Sequence, residues 1–479
     1  MSWQQRIITA LNLSEKSPKI ISDRLGVLFS KPFKTYLNQN FKHVVFSNKN
    51  AQMLTAANSS EQVTFITTKE NIPQFLKSSY DYKEFNNSQL PLNGDLTLLK
   101  QFDASTIVMV LEYVYASNPH IVLSNSNINE IVANAKSHHQ NKELTELKEI
   151  ICKELEKDSS ITNTLTIAEH WGKFIYQSFL QNQQSFIEDI PQIDEVAKQL
   201  IDNKTFEQIG YASTASKPLS IDKIIHHIKS KKEDKIALLC FDCMGFAEWQ
   251  LLKDYLSDLE LDYKEHTLFT LLPSVTSVCR TAIFHGATNV YDIKYPGRND
   301  EAKAFTEFFN DKQTKYFVEE DEISDNTLLG YEYISVLFNF FDDLCHSTIF
   351  PANENTKAIY FNNCKQYLEK SNVKQIIKTL LKNGFQIYIC SDHGSVIAKG
   401  NGERLQKYLI DDFAKRAVII PEEASELTQF EKINIPFVHQ KKLVIPEGRT
   451  MFSQKDKIEI NHGGISLEEI VVPFITVTK

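Results

Sequence analysis

Seven side chains able to do phosphoryl-transfer chemistry occur in a fixed order along the chain: Asp242, Thr276, Asp342, His346, Asp392, His393 and His462. They stand in five motifs: Asp242 at the end of an apolar run, Pro273-Ser274-Val275-Thr276, Asp342-x-x-x-His346, Ser391-Asp392-His393-Gly394, and Asn461-His462-Gly463-Gly464. Three carboxylates, three imidazoles and one hydroxyl match what a centre with two divalent ions roughly 3.5–4 Å apart requires, one ion activating an alkoxide and the other holding phosphoryl and leaving oxygens. Taken singly, each motif has a plain structural use. An Asp after a strand makes a turn, an i,i+4 polar pair decorates a helix surface, and His-Gly-Gly closes a loop. It is the five together, in this order, that argue for chemistry.

The elements that would present these residues are legible in the pattern. Residues 236–241 are a continuous apolar run, as a strand buried on both faces requires, and Gly245 opens a helical pattern after Asp242. Residues 385–390 repeat this design after the helix-stop signal Asn383-Gly384, and deliver Asp392 and His393 at the strand end. Carboxyl ends of strands are where open α/β sheets bind ligands. Asp342 and His346 fall four apart in a helical segment, so both leave one face and can share one ion. Residues 276–285 read as a short helix closed by Gly286, which puts Thr276 in a first turn whose N–H groups and dipole favour a phosphate or developing oxyanion. Arg280, one turn on, could contact a phosphate oxygen or pair with a surface carboxylate.

The sequence resembles the alkaline phosphatase superfamily and, within it, the PglZ-domain proteins of prokaryotic phage defence. The resemblance rests on residues 239–245, on 272–280, on Ser391-Asp392-His393-Gly394 and on 462–474, and it extends over about residues 233–479. It implies a three-layer α/β/α domain, with Asp242, Thr276, Asp392 and His393 on one ion, Asp342, His346 and His462 on the other, and Thr276 as nucleophile with Arg280 beside it. It also implies hydrolysis of nucleotide-type phosphoesters, with a nucleotide or short oligonucleotide as substrate and other defence components as protein partners. A catalytically silent scaffold is the alternative. The imidazole-rich set should prefer Zn, and the oxygen-richer set accepts Zn, Mn or Mg. The family commonly has Pro-Thr-x-Thr where this chain has Pro273-Ser274-Val275-Thr276, and Ser277 is a second hydroxyl beside the first. Cys243 and Cys345 flank the ligands, and thiolates also bind Zn.

At 479 residues the chain exceeds one ordinary core. The expected domains are a small α/β domain over 1–85, a helical region over 95–210 and the catalytic domain over 233–479, with linkers at 86–94 and 211–220. Strands are expected at 43–47 and 63–68. A response-regulator receiver is excluded because no acidic pair follows the first strand. Ile167, Trp171, Phe174, Ile175 and Phe179 recur at helical spacing and read as core. The charged stretch 287–330, with Glu319-Glu320-Asp321-Glu322, reads as an insertion, either a substrate-selecting cap or a solvated loop.

Composition bounds the remainder. Seven scattered Cys suit reduced thiols in a cytoplasm, and no apolar stretch approaches the length that spans a bilayer. A net charge of −9 argues against tight grip on duplex DNA by this chain alone. His226-His227 with Lys229, Lys231 and Lys232 form either a small basic contact or an ordinary helix end. Oligomeric state is left open.

Overall fold

The computed structural model describes residues 1–157, 160–181, 190, 192–202, 204–293, 296–348, 356–403, 405, 414–422, 430–435 and 438–478. These divide into two compact units, Met1–Glu143 and Leu144–Lys479. The helices expected as one middle region therefore fall in both.

In the first unit, β1 (Lys19–Asp23), β2 (Val44–Phe46), β3 (Thr64–Thr67) and β4 (Asp81–Phe85) form a parallel sheet in the order β2-β3-β1-β4. Two short strands, β5 (Asn93–Gly94) and β6 (Val122–Leu123), pair beyond it. Asp23 ends β1, and its carboxylate accepts the N–H groups of Leu25, Leu28 and Phe29 at 2.8–3.3 Å, so it caps the following turn.

The second unit contains β7 (Ile236–Phe241), β8 (Asp262–Phe269), β9 (Thr314–Val318), β10 (Tyr333–Phe338) and β11 (Gln386–Ser391). It continues with β12 (Val396–Gly400), β13 (Val418–Pro421), β14 (Glu431–Ile435), β15 (Val438–Ile445), β16 (Thr450–Met451), β17 (Ile458–Asn461) and β18 (Val471–Thr478). The central sheet runs β8-β18-β11-β7-β10-β9, with β18 antiparallel to both its neighbours and β11, β7, β10 and β9 mutually parallel. Side chains alternate across a strand. Accordingly Ala237, Leu239 and Phe241 enter one core with Trp171, Trp249 and Ile377, while Ile236, Leu238 and Cys240 enter another with Ile228, Ile283 and Phe305. Helices thus cover both faces, the three-layer α/β/α arrangement, and this explains why β7 is apolar at every position. Between β11 and β18 the chain makes two small three-stranded sheets, β16-β12-β17 and β13-β15-β14.

The stretch expected as an insertion is partly framework. Within 287–330 lie the helix Arg298–Phe308, whose Ala304 and Phe305 are buried, and β9, the edge strand of the central sheet. Its high charge had masked a short, half-buried strand, because an edge strand exposes one side. Among the described residues no helix is long and apolar enough to cross a membrane.

Candidate metal centre

Register brings the first ligands together. Phe241 of β7 pairs with Phe338 of β10 and with Ser391 of β11, so the next residues, Asp242, Asn339 and Asp392, emerge side by side at the carboxyl edge of three parallel strands. Cys243 takes the left-handed conformation (φ 63°), and its N–H donates to Asp392 Oδ1 at 3.1 Å, as does that of His393 at 2.9 Å. Met244 N–H donates to Ser391 Oγ at 3.0 Å, which ties the two strand-end turns together. A Cβ on Gly394 would meet the Glu468 carbonyl oxygen at 2.0 Å, so only glycine lets this turn pack.

Thr276 is the first residue of the helix Thr276–His285, which Gly286 closes as the pattern predicted. Its Oγ1 lies 3.0 Å from His393 Nε2 and 3.3 Å from Asp242 Oδ1. Ser277 is exposed and lines the neighbouring cleft. His393 Nδ1 sits 3.2 Å from the Gly394 carbonyl, and a proton donated there leaves Nε2 as a lone pair facing Thr276. Asp242, Asp392 and His393 therefore form one group of convergent ligand atoms.

Asp342, His346 and His462 form a second. The first two leave one face of the helix Phe340–Ser347, as their spacing predicted. His462 follows β17 and is anchored by Nδ1 on the Ser274 carbonyl at 3.3 Å, while Ser274 Oγ donates to the Gly464 carbonyl at 2.8 Å. His346 Nε2 lies 3.1 Å from both His462 Nε2 and Asp342 Oδ1, with His462 Nε2 3.5 Å from the same oxygen. Ligands of a tetrahedral zinc stand about 3.3 Å from one another, given bonds of about 2.0–2.1 Å. Two bare imidazole lone pairs at 3.1 Å repel, so a proton or a cation must lie between them. The rings of His393 and His462 stack at 4.3 Å, which makes the two groups neighbours.

Charge and unmet hydrogen bonds point the same way. Asp392 Oδ2 is buried without a hydrogen-bond donor, and Asp342 Oδ1 faces the His346 and His462 imidazoles at 3.1 and 3.5 Å. Burial pushes the Asp392 carboxyl up to about 6 and the Asp242 carboxyl well above its ordinary range, the latter with help from the Asp392 charge and against Arg280. Burial holds the His462 imidazole well below its usual value, and the nearby His393 adds to the effect. Burial would raise Asp342 too, but the hydrogen bond from His346 and the charge of His462 hold it below the usual carboxylate range. The donor set fits two divalent cations, which would relieve the buried carboxylates and use the orphaned Asp392 oxygen.

Arg280 is not paired at the surface. It is 7% exposed, and its Nη1 donates to Asp242 Oδ2 at 2.5 Å and its Nε to Glu301 Oε1 at 2.8 Å. Neither Cys243 nor Cys345 joins a ligand group: burial pushes the Cys243 thiol well up, and Cys345 Sγ donates to the Ile460 carbonyl at 3.4 Å. His226 and His227 bond the carbonyls of Gly286 and Ala215, as helix-end residues do. Sequence reading missed the supports. Glu469 accepts the N–H groups of Gly464 and Ser466 and both Nε and Nη2 of Arg416, holding the loop that carries His462. Ser466-x-x-Glu469 is a capping box, so that signal was present. Glu301, in contrast, carries no local signal.

Residues 221–477 match the family described as the BREX system PglZ alkaline phosphatase-like domain. The chain belongs to that family. No curated protein matches the chain. Among solved structures it is similar to murine ectonucleotide pyrophosphatase/phosphodiesterase 5, with 13% identity over 51% of this chain and 87% of that one and a TM-score of 0.33. Phosphonoacetate hydrolase from Sinorhizobium meliloti 1021, in complex with phosphonoacetate, is similar at 11% identity over 51% of this chain and 89% of that one, with a TM-score of 0.31. The PglZ domain includes all seven candidate ligand and nucleophile positions.

Proposed function

We propose that this PglZ protein is a cytoplasmic, metal-dependent phosphodiesterase of prokaryotic anti-phage defence, acting on nucleotide-type substrates with Thr276 as nucleophile. One observation carries the reading: two groups of convergent ligand atoms adjoin at Thr276, one with the buried Asp392 Oδ2 that has no donor, the other with Asp342 Oδ1 between two imidazoles. Two bound ions, held by Asp242, Asp392, His393 and Thr276 and by Asp342, His346 and His462, would supply the positive charge that favours an alkoxide and offsets charge on the phosphoryl and leaving oxygens.

The chain's own groups do the rest. Thr276 Oγ1 forms a bond to phosphorus as the bond to the leaving alcohol breaks, and that alcohol departs with a proton. Water then cleaves the threonine ester, releasing the phosphomonoester and restoring the hydroxyl. The helix start at Thr276 directs N–H groups and the positive dipole end toward the phosphoryl oxygens. A cleft of about 220 Å³, lined by Thr276, Ser277, Arg280, Gly297, Asp342 and His462 among others, gives access. Among its described lining residues Arg280 is the one permanent cation, and two carboxylates engage it. This favours a singly charged phosphodiester over a dianionic phosphomonoester. The test is metal content by elemental analysis together with hydrolysis of diester and monoester reporters. Two ions and diester turnover are expected. An inert wild type with full metal would move the assignment to a partner-recruiting scaffold.

A further inference from the structure

Asp242 offers its two oxygens to different tasks. Oδ1 faces Thr276 and His393 at 3.3 and 3.6 Å, on the side where the ligand atoms converge. Oδ2 receives Arg280 Nη1. That guanidinium is gripped from behind: Nε donates to Glu301 Oε1 at 2.8 Å, and Nη1 also reaches Asn339 Oδ1 at 3.3 Å. Glu301 is 1% exposed, and its second oxygen accepts the Tyr316 hydroxyl at 2.6 Å. The chain Tyr316, Glu301, Arg280, Asp242 thus runs from β9 through the helix Arg298–Phe308 to the end of β7, with every link a direct hydrogen bond.

A guanidinium is a fork that matches both oxygens of a carboxylate when nothing restrains it. With Nε committed to Glu301, Arg280 presents Nη1 to Asp242, and Oδ1 is left for a cation. We propose that Glu301 and Tyr316 are positioning residues for the ion held by Asp242, Asp392 and His393: they stop Arg280 from closing on both oxygens of Asp242 and taking the place of that ion. The inference rests on the two-ion reading above. Groups behind the ligands of metal sites act in this way, and their loss commonly weakens affinity by about 10–100-fold.

The test is zinc affinity, measured by competition with a chromophoric chelator on the full chain, for wild type, Glu301→Gln, Tyr316→Phe and the control Glu307→Gln. Glu307 lies on the same helix, and its carboxylate is exposed in a surface pair with Lys303. Glu301→Gln should weaken one of two zinc-binding steps about 10–100-fold and leave the other unchanged. Tyr316→Phe, which removes one hydroxyl and keeps the ring, should weaken the same step less, and Glu307→Gln should weaken neither. Should Glu301→Gln fail to fold, Tyr316→Phe decides alone. Two wild-type-like steps in the folded variants would overturn the inference while leaving the two-ion reading intact. A wild type that binds fewer than two ions would overturn both, and that outcome is visible before any variant is made.

Discussion

Replacing Asp392 with Asn should stabilise the metal-free protein and destabilise the loaded one. Asp392 is fully buried, and burial pushes its carboxyl from an ordinary 3.8 up to about 6, against the pull of Arg280 and of the Cys243 and His393 N–H groups. A folded-state value above the unfolded one means that the fold favours the protonated form. The stability it contributes is complete below about pH 4 and is lost as pH rises through about 6. A displacement of that size corresponds to about 3 kcal/mol at neutral pH. Asn is neutral throughout and keeps an acceptor for the two N–H groups that now reach Oδ1 at 3.1 and 2.9 Å. Its amide would occupy the place of Oδ2, an atom that has no donor now. Allowing for imperfect placement of that amide, the expected gain is about 1–3 kcal/mol near pH 7.5 in EDTA, falling to nothing near pH 4. Zinc should reverse the order, because an amide is a poorer ligand than a carboxylate. Urea unfolding across this pH range, with EDTA and with zinc, measures both. If Asp392→Asn is no more stable than wild type in EDTA near pH 7.5, the claim that these carboxylates are held for a cation at a cost to the fold is refuted.

Thr276→Ala should abolish diester hydrolysis while keeping most of the metal, since the six other ligands remain; Thr276→Ser should retain partial activity and Ser277→Ala nearly all of it. Loss in Ser277→Ala with full activity in Thr276→Ala would move the nucleophile one residue along. Asp342→Ala and His462→Ala should each lower metal content without unfolding the chain, because both ligands sit at the ends of elements and their removal opens little core volume; elemental analysis and a thermal melt decide. Given the engagement of Arg280, kcat/KM for a diester reporter should exceed that for a monoester with the same leaving group, and the reverse order would show that another cation serves the phosphate.

The places of the candidate ligands in the fold were legible because strand ends and helix spacing are local properties. A six-residue apolar run ending in Asp242, and Asn383-Gly384 ahead of a second run, located two adjacent strand ends; the second strand proved to begin one residue later than expected, at Gln386. The helix 276–285 and its glycine stop also followed from local pattern. What sequence did not reveal was non-local. Glu301 looks like any acid in a charged stretch, and only the packing of its helix turns it onto Arg280, 21 residues away. Spacing from Thr276 leaves Arg280 either a phosphate contact or a surface pair, and one helical turn says nothing about the buried Asp242 and Glu301 that engage it. The strands between β11 and β18 escaped notice for the same reason, since short, half-buried strands leave weak alternation.

The placement of β18 makes the central sheet depend on a segment made late. Residues 471–478 do not extend an edge; they fill the gap between β8 and β11, pairing Val471 with Phe269 and Tyr388 with Thr476. Until they are made, β8 and β11 each present an open strand edge, the kind of surface on which nascent chains aggregate or recruit chaperones. Asp242 leaves the ribosome 220 residues before His462, an interval of roughly 10–40 s at ordinary elongation rates. Throughout that time the ligand set is incomplete. A product broken off anywhere before 462 therefore lacks at least one of the seven candidate ligands, and its central sheet lacks β18.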